Sequence, residues 1–437
     1  MADIARANGR SAGMSPSRIV LISGNSLCHN PRVMKAASAL ARNGYDVHVL
    51  GAWLEADLKA RDQAILAQAQ FRFEPVFDAT LPGIWRTAAH TLRRARRKAA
   101  NTMYALAGWQ SRDQLGYGIG RLLARARALA ADLYIAHSEP ALHVAWRLMQ
   151  DGRRTGVDME DWYSQDLLAD ARAQRPLGLL RRLESALLVK GVYATCPSGA
   201  MSEALAAAYG GKPPAIIYNA FSAAERATID DVRKDRRNAA VPSIYWFSQT
   251  LGPGRGLEDL IAALPLLDRD VEIHLRGRAA PGMEEWIRSQ MPARWQERVF
   301  LHPLVPNEEL LSRLTEHDIG LAGEQPSCRS RDLTVTNKIL HYLLGSLAVV
   351  ASDTAGQREV AMQASGAVTL YEPGNPVALA HALRTVIDSP DNLARAKAAS
   401  LQAAERTFCW ERQEPILLQN IQEALRETRA TSRASHS

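Results

Sequence analysis

Twice in this chain a short apolar run ends in a glycine turn that opens an amphipathic helix. That repeat limits the fold more than any other feature. The first instance is RIVLIS followed by GNSLCHNP, and the second is SIYWFSQT followed by GPGRG. In the first, Gly24 permits the tight turn, Asn30 is placed to cap the helix, and Pro31 suits its first position. The helix continues through Met34, Ala37 and Leu40 to Gly44, and YDVHVLG supplies the next strand. In the second, Gly252 to Gly256 lead into a helix with the stripe Leu257, Leu260, Ile261 and Leu264, and VEIHLRG follows as a strand. Strand–helix–strand units of this kind predict doubly wound parallel sheets.

At 437 residues the chain exceeds one ordinary core, so an α/β protein of two Rossmann-like doubly wound domains is expected. The expected divisions are a disordered N-terminus at 1–17, an N-terminal domain at 18–221 and a polar linker at 222–240. A C-terminal domain at 241–405 follows, then a helix at 406–427 crossing back to the first domain, and a disordered tail at 428–437. The first domain has further strands at DLYIAH, TGVD, VYATC and AIIY.

Hydrophobic residues make up 47% and charged residues 23%, which are globular values. The net charge of +7 is too mild for a nucleic-acid binder and fits an acidic ligand or an anionic membrane surface. Cys28, Cys196, Cys328 and Cys409 are scattered, with no metal-ligand spacing and no disulfide framework, so no metal and a reducing cytoplasm are expected. The N-terminus lacks the apolar core of a signal peptide, and no apolar run approaches the roughly 18 residues of a membrane span. Residues 84–112 are basic, helical in pattern and aromatic at Trp85, Tyr104 and Trp109. That composition suits the anionic inner face of a plasma membrane, with a solvated helix pair as the plainer reading. GYGIG (Gly116 to Gly120) resembles part of a dinucleotide fingerprint but follows no strand, so it reads as glycines that open a helix.

Candidate site residues cluster at strand ends. His137 closes DLYIAH, and Asp158, Glu160, Asp161 and Asp166 lie at and after the next strand end, where open α/β sheets bind ligands. In the second half, Asp318–Val360 reads as strand, polar loop, helix and buried strand. The loop carries Glu324 and Thr334, and the helix begins near Thr334 to Thr336 with Asn337, Lys338, His341 and Gly345 on one face. A lysine in the first helical turn is disfavoured by the helix dipole, yet it helps to seat a phosphate there. With Arg255 at the glycine turn, Lys338 points to a nucleoside diphosphate held without a Walker motif or a metal cage.

These residues resemble the GT-B glycosyltransferases, specifically their family-4-like group, across nearly the whole folded chain and most strongly from Ile244 to Asp388. SQTLGPGRGLEDLIAAL is similar to the opening of the family's donor domain, with Arg255 in place of the usual lysine. VFLHPLVPNEELLSRLTEHDIGLA is similar to the segment that passes the base and ribose, and TNKILHYLLGSLAVVASDTAGQREV to the family's lysine, helix, strand and glutamate turn. The resemblance implies retaining, metal-independent transfer of a sugar from an NDP-sugar to a glycan or lipid-linked acceptor, with no further cofactor. It puts Gly24, Gly254, Arg255, Thr334, Asn337, Lys338 and His341 on the donor. It gives His137 the transferred sugar or acceptor, and Asp158 or Asp161 the acceptor hydroxyl. The family's two glutamates, with seven residues between them, fall at Leu333 and His341, so Glu324 is the candidate replacement; Thr250 and Ala348 replace a common arginine and proline. The alternatives are a sugar-nucleotide epimerase on the same fold and a catalytically silent nucleotide-sugar-binding protein.

Overall fold

The computed structural model describes residues 15–81, 84–236, 238–252 and 254–426, with the side chains of 84–90 left aside. The tails expected at 1–17 and 428–437 lie outside the described residues apart from 15–17. Two compact units divide the chain. One comprises Met1–Cys196, Ser202–Ile217 and Glu414–Ser437, and the other Pro197–Met201 and Tyr218–Gln413.

The first unit is built on β1 (Arg18–Ile22), β2 (Asp46–Trp53), β3 (Arg72–Asp78), β4 (Leu133–Ala136), β5 (Thr155–Asp158), β6 (Tyr193–Cys196) and β7 (Ala215–Ile216). They form a parallel sheet in the order β3-β2-β1-β4-β5-β6-β7. Ile19, Val20, Leu21 and Ile22 are wholly buried, because helices cover both faces of such a sheet and its central strands are apolar throughout. The helix Pro31–Arg42 begins as its sequence dictates. Asn30 accepts from the N–H of Val33 at 3.0 Å, and Pro31 needs no donor of its own.

The second unit carries β8 (Ser243–Leu251), β9 (Glu272–Ala279), β10 (Val299–His302), β11 (Ile319–Ala322), β12 (Ala348–Ser352) and β13 (Val368–Tyr371), parallel in the order β10-β9-β8-β11-β12-β13. Its core gathers Trp246, Leu257, Trp295, Ile319, Val350 and Leu383. Burying each such side chain contributes about 1.5–3 kcal/mol. GYGIG does open a helix: Gly118 adopts φ +72° before Ile119–Leu129.

Three expectations need correction. Residues 222–240 are not a free linker but a strap on the second unit. Glu316 accepts the backbone N–H groups of Lys234, Asp235 and Arg236 at 2.9, 2.7 and 3.1 Å, and Arg313 pairs with Asp230. The segment is polar because it satisfies these buried ends, not because it is loose. Within the expected polar loop, Arg329–Leu333 is a short helix, and the next helix, Asn337–Leu344, starts later than expected. Neither threonine caps it with a side chain. The Thr334 hydroxyl turns back to the carbonyl of Ser330 at 2.7 Å, and the Thr336 hydroxyl is buried without a hydrogen-bond partner. On the face of that helix that carries Lys338, His341 and Gly345 are buried. The last helix, Trp410–Arg426, passes from the second unit into the first at Glu414.

Candidate active site

Ligands of open parallel sheets gather at the carboxyl edge where strand order reverses. In the first unit that point lies between β1 and β4, and Gly24 and His137 stand at it. Gly24 turns the chain at φ +70°, and a Cβ there would come within 3.3 Å of Pro140. The His137 N–H donates to the Ile22 carbonyl at 3.0 Å, which fixes the residue just past the strand end. Its Nδ1 lies 3.3 Å from Asp158 Oδ2 and 3.5 Å from Glu160 Oε1.

Asp158 is more occupied than its sequence position suggests. Arg32 donates Nε to one oxygen at 2.5 Å and Nη2 to the other at 2.8 Å, and the Thr195 hydroxyl donates at 2.8 Å. Arg32 and Thr195 thus fill three of the roughly four acceptor positions of the carboxylate, with His137 Nδ1 close to the fourth. Burial disfavours its charge, but Arg32 and His137 outweigh burial and hold the carboxyl well below the usual range. Burial likewise opposes a proton on His137, yet Asp158 and Glu160 push its pKa up to about 9, so both ring nitrogens carry protons at neutral pH. His137 Nε2 and Glu160 Oε1 are buried without a hydrogen-bond partner. The donor atoms of His137, Asp158 and Glu160 lie within 4.8 Å of one another, as a metal ion would require. Arg32 and the imidazolium already balance both carboxylates, so the group is an ion-pair network. Asp161 is exposed.

In the second unit the reversal falls between β8 and β11. Gly256 adopts φ +80°, and a Cβ there would sit 2.1 Å from the carbonyl oxygen of Gly323. The turn after β8 thus rests directly on the turn after β11, and only glycine permits it. Arg255 beside it donates to the Ser248 hydroxyl at 3.0 Å, while the Gly254 N–H is engaged by Glu258 at 2.7 Å. Lys338 lies in the first turn of Asn337–Leu344 and pairs with Glu324, which follows β11; each side chain is 12% exposed. The Lys338 ammonium also lies 5.2 Å from the Trp246 ring centre. Glu324 is therefore held in place by its ion pair with Lys338.

Sequence reading missed the residues that hold this loop. The Ser352 hydroxyl bonds the carbonyls of Ala322 and Glu324, and Gln357 Nε2 donates to that hydroxyl at 2.8 Å. A serine closing an apolar strand, followed five residues later by glutamine in a helix, was the available signal.

Comparison with known proteins decides what this edge belongs to. Residues 242–389 match the family Glycosyl transferases group 1. That match lies within the second unit and covers about a third of the chain. No curated protein matches the chain. Among solved structures, HepE of Anabaena in complex with UDP is similar at 17% identity and a TM-score of 0.67, over 93% of this chain and 99% of that one. Sucrose-phosphate synthase of Thermosynechococcus elongatus is similar at 15% identity and a TM-score of 0.68, over 93% and 98%. UDP-GlcNAc 2-epimerase of Neisseria meningitidis, bound to UDP-GlcNAc, is similar at 10% identity and a TM-score of 0.56, over 93% and 100%. These likenesses identify the fold as GT-B, with its two Rossmann-like domains.

Within the group 1 domain, the two positions where the resemblance puts glutamates serve packing. Leu333 is 9% exposed, and its carbonyl accepts from the Ser198 hydroxyl at 2.5 Å. The His341 ring stacks on Phe221 with centres 3.3 Å apart and meets Phe247 edge-on at 5.6 Å. Thr334 presses its carbonyl against Gly356, where a Cβ would come within 2.4 Å, and Asn337 is exposed at the helix start. Of the residues expected to meet the donor, Arg255 and Lys338 keep their cations at this sheet edge. Thr334 and His341 are drawn into the surrounding structure.

Proposed function

We propose that the chain is a glycosyltransferase that moves a sugar from a nucleotide-sugar donor to a glycan or lipid-linked acceptor. The observation that carries this reading is the reversal point of the group 1 domain. There the Gly256–Gly323 contact sets Arg255 at one turn, and Lys338 joins the other through Glu324. Negative charge grows on the diphosphate as it leaves, and guanidinium and ammonium groups held nearby stabilise it without reorganising. Arg255 does this with a charge that, among the described residues, is hydrogen-bonded to a neutral hydroxyl, and Lys338 does so by moving between Glu324 and phosphate. In the first unit, doubly protonated His137 binds hydroxyls of the transferred sugar or the acceptor through Nε2. Asp158 or Asp161 orients the acceptor hydroxyl, with Glu160 as a further carboxylate beside His137. Retention of configuration and independence of metal belong to the same proposal, as does a place in cell-surface polysaccharide or glycolipid synthesis in the cytoplasm.

Calorimetry against UDP, GDP, ADP, CMP and dTDP sugars, followed by product analysis with extracted acceptors, tests the proposal. Binding of one nucleotide sugar with transfer is the expected result. Failure to bind any of them overturns it.

A second reading has its own support. Leu333 and His341 leave the paired carboxylates absent, and the fold is shared with an epimerase. Conversion of the nucleotide sugar without any acceptor would favour that reading over transfer.

The helix Ile84–Ala107 supports a membrane-side acceptor. It turns Arg93 and Arg97 onto Phe77 and Tyr117, and exposes Leu92, Met103 and Leu106 at 54%, 41% and 79%, with Trp109 beyond it at 64%. An apolar stripe among basic residues suits an anionic bilayer surface. Among the described residues no helix is long and apolar enough to cross a membrane. Flotation on anionic but not neutral liposomes is expected, and no flotation on either removes the membrane claim.

A further inference from the structure

A cavity of about 740 Å³ lies in the first unit, beside the carboxyl ends of β2 and β3. Its lining includes Trp53, Lys59, Phe77, Asp78, Arg93 and Arg121. The charges do not balance. Asp78 is the one carboxylate on the lining among the described residues. It is already engaged, because Oδ2 takes Lys59 at 2.7 Å while Oδ1 takes the Thr80 N–H at 2.9 Å and hydroxyl at 2.6 Å. Lys59 and Asp78 therefore cancel, and the positive charges of Arg93 and Arg121 remain.

Arg93 comes from the helix Ile84–Ala107 and lies with its guanidinium carbon 4.1 Å from the Phe77 ring centre. Its Nη1 is buried with no hydrogen-bond partner. Burial, and then the neighbouring cations Arg121 and Arg96, lower its pKa. Arg121 stands in the first turn of Ile119–Leu129, the helix that GYGIG opens, and among the described residues no carboxylate pairs with it. The start of that helix lies on the same wall, since a Cβ at Gly118 would be 3.9 Å from Phe77. Helix N-termini favour anions. Two guanidiniums facing one cavity without a counter-charge repel each other until an anion joins them, and planar guanidinium groups suit phosphate oxygens.

We infer that this cavity is a phosphoryl-binding subsite for the acceptor, with Arg93 and Arg121 holding a phosphate or diphosphate ester. Trp53 and Phe77 provide an apolar wall for the group attached to it. The subsite rests on the transferase reading only in being assigned to the acceptor. The volume exceeds what a bare phosphate fills, so the ligand has a body as well as a charged head.

The experiment is calorimetric titration of the full chain with inorganic pyrophosphate, comparing wild type with Arg93→Gln, Arg121→Gln and Arg255→Ala, each checked for folding by circular dichroism. Arg121 is exposed, so its variant keeps the test valid if Arg93→Gln fails to fold. Pyrophosphate binding at least tenfold weaker in both the Arg93 and the Arg121 variant than in wild type is expected, with the Arg255→Ala variant reporting separately on the donor edge. Absence of binding, or loss only in Arg255→Ala, overturns the subsite. Farnesyl diphosphate and glucose 1-phosphate, titrated in parallel, separate a lipid source from a sugar source, and tighter binding than pyrophosphate by either one supports a ligand with a body. If neither binds more tightly, the apolar wall has no role and that part of the inference falls. If the pyrophosphate pattern holds while no nucleotide sugar binds, the subsite stands and the transferase reading fails.

Discussion

The two sheet edges handle charge in opposite ways. At the first, Arg32 and Asp158 are each about 5% exposed at their side chains, and together with His137 and Glu160 they form a network closed on itself. At the second, the Lys338–Glu324 pair is more accessible, and Arg255 has a neutral hydroxyl for a partner. A buried network of matched charges fixes geometry and has little left for a ligand beyond the free ends of His137 and Glu160. A pair 12% exposed beside a guanidinium bonded to a neutral hydroxyl can exchange its partners for phosphate oxygens. The first edge is thus built to position and the second to bind.

The contrast breaks most directly at Asp158. Asp158→Asn leaves Arg32 buried beside a neutral amide, and losing one partner of a buried pair costs about 3–5 kcal/mol. Urea denaturation should show a loss of that size. A loss below about 1 kcal/mol would mean that the network is wet and adjustable, like the second edge.

His137 gives the next largest effect, read through pH. Its folded pKa of about 9 lies above the ordinary 6.5, so its proton stabilises the fold fully below pH 6.5. That contribution disappears as pH rises through 9. A difference of about 2.5 pH units at about 1.4 kcal/mol each amounts to about 3 kcal/mol. The wild type should lose stability between pH 6.5 and 9, and His137→Asn should show a flatter profile over that window. Parallel profiles would remove the imidazolium from the first edge.

The strands that carry these edges were legible because each central one is a short apolar run beside a glycine turn. β3 and β13 were not. Arg72–Asp78 contains Pro75 and is mostly half-buried, and Val368–Tyr371 is a short, half-buried edge strand, so neither shows the continuous burial that marks the others. At the site, position along a strand placed His137, Asp158, Arg255 and Lys338 at the correct edges. Partnership was not legible. Arg32 reaches Asp158 across 126 residues, and Ser352 and Gln357 fix Glu324 from a later strand and helix. Such contacts exist only once the sheet order is set.

Arg255 sharpens the binding side of the contrast. Arg255→Ala removes a charge-assisted contact to the diphosphate worth about 1.5–3 kcal/mol, a loss of about 10- to 100-fold in nucleotide-diphosphate affinity. Its removal leaves only the neutral Ser248 hydroxyl without a partner, so the melting temperature should hardly move. Calorimetry and a thermal melt on one preparation read both quantities. A large stability loss with unchanged affinity would make Arg255 a structural residue like Arg32.

Glu324→Gln gives the smallest effect and the finest distinction. Glu324 and Lys338 are partly exposed, and such a pair contributes up to about 1 kcal/mol, so the fold should survive with little change. If Glu324 serves to hold Lys338 near the sheet edge, neutralising it releases the ammonium to a phosphate. Affinity for the nucleoside diphosphate should then rise about threefold, which corresponds to roughly 0.6 kcal/mol. If Glu324 instead meets the donor sugar as the replacement for an absent family glutamate, the same variant should lose turnover and nucleotide-sugar affinity while affinity for the plain diphosphate stays level. Measuring the diphosphate and the nucleotide sugar side by side separates the two. The ratio of the two affinities decides whether this glutamate belongs to the lysine or to the sugar.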